Sequence, residues 1–97
     1  MARAFVLAAG DNVATLVDTV SKGTAVTLAG QRQGSVTAAA DVAYGHKLAT
    51  RAIGNGEPII KYGKVIGQAT QDIALGAHVH VHNVEALRGR GDKKAAS

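Results

Sequence analysis

The stretch "DVAYGHKL", residues 41–48, contains the pattern that decides the fold. An aspartate is followed by small and apolar residues, then by a glycine, then by the start of a new apolar run. The pattern recurs in "DTVSKGTAV" at 18–26 and "DIALGAHV" at 72–79, and "RAIGNGEPI" at 51–59 repeats it without the aspartate. We interpret each copy as a corner. The carboxylate would accept backbone N–H groups of a single helical turn, and the glycine would supply the positive φ that redirects the chain.

Short runs rich in β-branched residues lie between these corners, and no window keeps a helical apolar period over three turns. Strands are therefore predicted at 5–8, 13–17, 25–28, 35–38, 47–53, 58–63, 65–70 and 78–82. The expected fold class is all-β: a compact, folded-over domain of many short strands with one-turn helical corners.

The length and composition indicate one small domain. The chain has 97 residues and no cysteine, so disulfides and thiolate metal sites are excluded. The apolar residues before Gly10 are too few for a signal peptide or a membrane span, and we expect a cytoplasmic protein without membrane contact. We predict a folded domain over 1–86 and a flexible tail over 87–97.

The net charge of +4 is concentrated near the end of the chain. The tail carries four of the eleven lysines and arginines, within "RGRGDKKAAS". No aromatic residues accompany them, so nucleic-acid binding is not the expected role. The edge strands of so small a β domain favour self-association or docking to a partner.

The stretch "HVHVHN", residues 78–83, holds three of the four histidines. In a strand, His78, His80 and His82 would share one face, about 6–7 Å apart. Two such imidazoles suit a divalent cation or acid–base chemistry near neutral pH, and the alternative is an exposed polar edge strand. The sequence contains no complete catalytic set, so further ligands are expected from a partner.

Four other residues have both a binding and a structural interpretation. Lys47 and Lys61 can each anchor a carboxylate or simply extend into water. Asn83 can hydrogen-bond a substrate or end a strand, and His46 can bind a ligand or cap a corner.

The motifs "GHKLATRAI" (45–53), "GEPIIKYGKVIGQATQDIALG" (56–76) and "HVHVHN" (78–83) together resemble the N-terminal domain of the altronate and galactarate dehydratase family. "DNVAT" at 11–15 is similar to the opening strand of that domain. These four blocks occur in the same order and spacing over roughly residues 5 to 84. The resemblance implies a β-clip fold of the SAF type.

The resemblance also implies a function. The chain is expected to be the small subunit of a two-component hydro-lyase that acts on a sugar acid or another 2-hydroxy acid. The large catalytic subunit would be its partner, and homo-oligomers are possible. A sulfolactate sulfo-lyase small subunit and a non-catalytic β-clip binding or assembly module are the alternatives.

The implied site residues follow from the matching motifs. His80 and His82 are expected to be catalytic and to hold a divalent metal, iron or manganese with zinc as another option, shared with the large subunit. His78 falls where the family pattern is open. The expected substrate-binding residues are His46, Lys47, Lys61 and Asn83.

Overall fold

The computed structural model describes residues 2–86, which form nine short β-strands. The strands are β1 (Ala2–Val6), β2 (Val13–Leu16), β3 (Ala25–Gly30), β4 (Gly34–Thr37), β5 (Lys47–Ala49), β6 (Pro58–Lys61), β7 (Lys64–Ala69), β8 (His78–Val79) and β9 (Val84–Ala86). The all-β prediction is confirmed. The predicted tail at 87–97 lies outside the described residues. Within 2–86 the chain offers no helical segment with the length and apolar character needed to cross a membrane.

The strands form two sheets. The larger sheet has the order β4-β3-β1-β2-β5-β8, and the smaller has the order β6-β7-β9. All neighbours are antiparallel except β1 and β3, which run parallel. β8 is therefore the edge of the large sheet next to β5, and this position decides where the histidines lie.

The corners are tight β-turns, so the prediction of one-turn helical corners is wrong in this detail. In each of the four corners the N–H of the fourth residue donates to the carbonyl of the first, over Ser21–Thr24, Ala43–His46, Gly54–Glu57 and Ala74–Ala77. The third residue is always a glycine with φ between 82° and 91°. This is the arrangement of a type II turn, which requires a positive φ at that position.

Two of the three corner aspartates bind a neighbouring corner instead of their own turn, and the third, Asp18, accepts the N–H of Arg3 in β1. The carboxylate of Asp41 accepts the N–H of Lys22, and the carboxylate of Asp72 accepts the N–H of Asn55. The prediction that each aspartate caps its own corner is therefore wrong. Asp41 and Asp72 join the corners in pairs, which fixes the folded-over shape.

The two corner pairs are copies of one supersecondary unit. Val20 and Val42 form an isolated antiparallel bridge in the first unit, and Ile53 and Ile73 form the corresponding bridge in the second. Each unit then extends into a hairpin, β3–β4 in the first and β6–β7 in the second. The sequence repeat of the corners thus corresponds to a structural repeat.

Each unit has its own apolar core. The first core contains buried residues of β1 to β5, including Leu16, Val26 and Leu48. The second contains Ile59 and Val79 together with the bridge pair of the second unit. Since fully burying such a side chain contributes about 1.5–3 kcal/mol, these two cores stabilise most of the fold.

Two predicted strands end three or four residues earlier than expected. The strand predicted over 47–53 ends at Ala49, where the N–H of Thr50 donates to the carbonyl of Asn12. The strand predicted over 78–82 ends at Val79. After it, residues 80–83 form a turn that leads into β9, a strand that the sequence did not indicate.

Candidate functional site

The four histidines meet at the end of the large sheet because β5 pairs with β8. Lys47 lies opposite Val79 in this antiparallel pair, and Leu48 lies opposite His78. One step further along the same register, His46 is opposite His80, and their ring centroids are 4.5 Å apart. A histidine at a corner is thus placed beside histidines that follow it by more than thirty residues.

His78 lies at the centre of the cluster. Its Nε2 is 2.9 Å from Nδ1 of His46, so one of these two nitrogens carries a hydrogen and donates a hydrogen bond to the other. Its ring also stacks on His80 with the centroids 5.3 Å apart, and it lies 5.2 Å from the ring of His82. The position that the family pattern left open therefore has the most ring contacts.

Asn83 fixes the turn that carries His80 and His82. Its Oδ1 accepts the N–H of His80 at 2.9 Å, and its Nδ2 donates to the carbonyl of His78 at 2.8 Å. The side chain is buried. These bonds turn the backbone at His80 away from the strand direction. The turn, and not the alternation of side chains along a strand, therefore sets the directions of the His80 and His82 rings.

The electrostatic environment favours the neutral form of two of the histidines, His78 and His80. Burial lowers the pKa of His78, and positive charge on His46, His82, His80 and Lys47 would lower it further. The pKa of His80 is lowered by the same kind of desolvation, then by His46, Lys47 and His82. The lowered pKa values favour the uncharged imidazoles of His78 and His80 at neutral pH, and a neutral imidazole can accept a proton or bind a cation.

The nitrogen atoms of three histidines are close enough for one ion. One ring nitrogen from each of His46, His78 and His80 lies within 4.8 Å of the other two. These three residues could hold a metal ion. His82 does not belong to this group, although its ring contacts His78.

An open apolar groove lies beside the cluster. It has a volume of about 210 Å³, and Lys47 and His80 are its polar residues. The remaining lining consists of Ile59, Ile66, Val79, Val81, Val84 and Ala86. Val81, at the tip of the histidine turn, is 79% exposed. The groove thus offers one cationic anchor and one imidazole in apolar surroundings.

The two lysines expected to bind substrate have different positions. Lys47 lines the groove, and its pKa is lowered by burial and by the charge of Lys61. Lys61 does not line the groove; its Nζ lies 5.3 Å from the centroid of the Tyr62 ring. The structure therefore brings Lys47, but not Lys61, into the groove beside His80.

The sequence did not reveal the apolar walls of the groove or the central position of His78. The walls come from β6, β7, β8, β9 and the turn between β8 and β9, which only the tertiary fold brings together. The signal for His78 was present in its alternation with His80. The family pattern specifies no residue type at position 78, so the resemblance did not point to His78.

The repeated corners, the two hairpins and the folded-over sheets define this chain as a SAF-type β-clip domain with a histidine cluster at one end. Residues 2–87 match the family of the altronate/galactarate dehydratase SAF domain, and the chain belongs to that family.

Named relatives place the family among lyases. The chain is 48% identical over 73 residues to an altronate dehydratase of Escherichia coli, covering 75% of this chain and 14% of that protein. It is 39% identical over 75 residues to an altronate dehydratase of Bacillus subtilis, covering 77% of this chain and 14% of that protein. It is also 43% identical over 53 residues to the (2R)-sulfolactate sulfo-lyase subunit alpha of Paracoccus pantotrophus, covering 55% of this chain and 79% of that subunit. The chain thus spans about a seventh of the dehydratases and most of the subunit.

Proposed function

We propose that this chain is the small, histidine-bearing subunit of a two-component cytoplasmic lyase that removes water from a sugar acid or another 2-hydroxy acid. The observation that carries the proposal is the group of imidazoles beside a lysine at the end of a domain that belongs to a lyase family. The large subunit would supply the other catalytic groups.

The coverage of the relatives supports the two-component arrangement. In the altronate dehydratases the matching region is 14% of the protein, whereas in the sulfo-lyase subunit alpha it is 79%. The same domain therefore occurs both inside a long polypeptide and as most of a short one. In either arrangement the domain would need the large polypeptide to complete the reaction site.

The side chains of the groove suit a reaction at the carbon next to a carboxylate. Lys47 would hold the substrate carboxylate as a compact positive charge. His80, which lines the same groove, would take the proton from the adjacent carbon and become an imidazolium. As the electron pair forms the new double bond, the hydroxyl on the neighbouring carbon leaves as water after it has received a proton.

The remaining predicted residues would act around this centre. His82, exposed on the same turn, would deliver the proton to the leaving hydroxyl. His46 would orient the cluster through its contact with His78. Lys61 would add positive charge near Lys47, since its charge lowers the pKa of Lys47. Asn83 would act by positioning, because the backbone already engages both ends of its amide.

A divalent metal shared with the large subunit fits the donor set of the cluster. The sequence assigned it to His80 and His82, whereas the spacing of the nitrogens favours His46, His78 and His80 as the residues that would hold it. When bound, the metal would act as a Lewis acid that stabilises negative charge on the substrate.

The sulfo-lyase alternative has a specific observation in its favour. The matching relative is itself called a subunit, and the chain covers 79% of it. The same proton abstraction would then expel sulfite in place of water. The two reactions share the proposed roles of Lys47 and His80, so only the leaving group separates them.

Reconstitution with a large subunit of the same family, sought first in the reading frames beside this gene, tests the proposal. The complex should convert an altronate- or galactarate-type sugar acid to its dehydrated keto acid, or release sulfite from sulfolactate. The double variant His80→Ala, His82→Ala should lose at least about 100-fold in turnover, since a general acid–base group contributes 10²–10⁴-fold. Arg32→Ala, in the exposed β3–β4 loop, is the control. Full turnover by the double variant would leave the non-catalytic module as the better description.

A further inference from the structure

We infer that this chain on its own binds one borderline divalent transition metal through His46, His78 and His80. The inference concerns the same cluster as the proposed lyase function, and the role of the metal in the protein rests on that function. It concerns a separate property, because it requires neither the large subunit nor turnover. It assigns the cation to a three-imidazole site within one polypeptide.

The spacing of the nitrogens already approaches that of a bound ion. Zn–N bonds of about 2.0–2.1 Å place two ligand nitrogens roughly 3.4 Å apart around a tetrahedral ion. In this chain the nitrogens of His46 and His78 are 2.9 Å apart, and all three lie within 4.8 Å of one another. Small rotations of the rings would therefore be enough. The proton between His46 and His78 would leave when the cation enters.

The backbone at each ligand is held in place. The N–H of His46 donates to the carbonyl of Ala43 in its corner turn. The carbonyl of His78 and the N–H of His80 are both bonded to the side chain of Asn83. Because these bonds exist without a metal, little backbone ordering remains to oppose binding.

The donor chemistry selects the class of cation. The group consists of imidazoles, and no carboxylate or thiolate joins it within residues 2–86. Imidazole suits Zn²⁺, Cu²⁺, Ni²⁺, Co²⁺ and Fe²⁺, whereas Mg²⁺ and Ca²⁺ prefer oxygen ligands. Mn²⁺ is the weakest of the first-row series at such a site. Among the metals implied by the resemblance, this site therefore favours iron or zinc over manganese.

The charge near the site determines what accompanies the cation. Lys47 acts on both His78 and His80, as His46 and His82 do, and its ammonium charge would repel a dication. An anion that bridges the metal and Lys47 would remove this repulsion. The three imidazoles leave at least one coordination position for such an anion, which agrees with a site built for a carboxylate substrate.

Titration of the untagged, chelator-treated chain with Co²⁺ and Zn²⁺ tests the inference. Calorimetry should give one ion per chain, and the Co²⁺ form should show the visible absorption of a low-coordinate nitrogen site. His46→Ala, His78→Ala and His80→Ala should each lose about 100-fold or more in affinity, exceeding the 10–100-fold typical of a supporting residue. Mg²⁺ should give no measurable heat.

His82→Ala separates this ligand set from one built on His80 and His82. It should bind Zn²⁺ like the wild type. If His82→Ala loses the cation while His78→Ala retains it, the assignment is wrong. Circular dichroism and urea unfolding verify that each variant is folded, and the number of imidazoles in the X-ray absorption spectrum of the wild-type Zn²⁺ form provides a reading without any substitution.

The outcomes for the metal and for the lyase can be told apart. If the isolated chain binds neither Zn²⁺ nor Co²⁺ while the reconstituted complex turns over, the present inference is overturned and the lyase proposal stands. If the chain binds one ion and the complex shows no lyase activity, the inference stands without the lyase proposal.

Discussion

The two corner pairs of the domain share one backbone design but differ in what they carry. In both units a pair of turns is joined by an aspartate and an isolated bridge. The strands β2 and β5 flank the first unit in sequence and pair with each other, and β5 and β8 flank the second unit and pair in the same register. Only the second pair ends in histidines.

The difference is clearest at equivalent positions. Val13 lies opposite Ala49 in the β2–β5 pair, and both side chains are buried in the second core. The equivalent positions in the β5–β8 pair are His46 and His80, whose rings touch at the open edge of the sheet. The same backbone position is apolar where another strand covers it and carries an imidazole where the sheet ends.

Both copies of the unit stabilise the fold through an apolar core, whereas only the second copy places the histidines at an open edge. The first copy is enclosed by further strands and packs an apolar core. The second copy exposes its last strand, so polar side chains there cost little and remain accessible to a partner. The first three predictions below change one copy and use the other as the control.

The largest expected effect is at Gly76, whose counterpart is Gly45. Both have a positive φ, +82° and +83°. A Cβ on Gly76 would collide with the backbone oxygen of Thr37, whereas a Cβ on Gly45 has nothing within 4 Å. We expect Gly45→Ala to lower the free energy of unfolding by about 1 kcal/mol and Gly76→Ala by more than about 3 kcal/mol.

Urea unfolding followed by circular dichroism measures this difference. The two glycines share the strain of the turn, so their difference reports the close approach of the second corner to residues 37–39. Equal losses of stability in the two variants would mean that the second corner is not packed as described.

The next effect concerns two buried asparagines that both join backbone segments. Asn12 accepts the N–H of Ile60 and donates to the carbonyl of Pro58, and Asn83 makes the corresponding pair of bonds with His80 and His78. Either change to alanine should cost about 2–4 kcal/mol, since each leaves buried backbone groups unpaired.

Metal affinity separates the two asparagines. Asn83→Ala should also weaken Zn²⁺ binding by about 10–100-fold, because the turn that positions the imidazoles is released. Asn12→Ala should leave Zn²⁺ affinity near that of the wild type, provided calorimetry is done where the variant is folded. A loss of affinity in Asn12→Ala alone would contradict the positioning role of Asn83.

A smaller effect is expected at Lys47. Lys47→Gln removes a positive charge that acts on both His78 and His80, so the chain should bind Zn²⁺ about two- to fivefold more tightly. Lys22→Gln, in an exposed corner of the first unit, removes the same charge far from the cluster and serves as the control. Weaker Zn²⁺ binding by Lys47→Gln would show that Lys47 supports the site in some other way.

The smallest effect is the pH dependence of the metal-free fold. The pKa values of His78 and His80 in the folded chain lie below the ordinary 6.5, chiefly because of desolvation. The unfolded chain therefore binds more protons as the pH falls below 6.5, and stability is lost in that direction. Urea unfolding at pH 7.5 and pH 5 should show a lower free energy of unfolding at pH 5. The difference between the two pH values should be smaller for the double variant His78→Gln, His80→Gln than for the wild type. Higher stability at pH 5 would contradict the lowered pKa values.

The sequence was sufficient for the fold class and for the corners. Glycine followed by a β-branched run is a local signal, and it located the corners and most strands. It could not show that Asp41 and Asp72 bind the neighbouring corner, because that choice depends on which corners are paired. The helical-turn interpretation failed for this reason.

The site was only partly predictable. The alternation of His78, His80 and His82 indicated a cluster, but it also predicted a strand that Asn83 in fact ends. The contact of His46 with His80 depends on the pairing of β5 with β8, which joins distant segments and leaves no local pattern. The apolar groove depends on tertiary packing in the same way.

The contact between the rings of His46 and His80 is the feature on which both the proposed lyase role and the metal site depend, and measuring it is their most direct test. Nuclear Overhauser spectroscopy of the metal-free chain, with the imidazole signals assigned through single His→Gln variants, measures it. We predict a cross-peak between the ring protons of His46 and His80, and another between those of His46 and His78. If His46 gives no cross-peak to either ring while His78 and His80 remain in contact with each other, the pairing that builds the cluster is wrong.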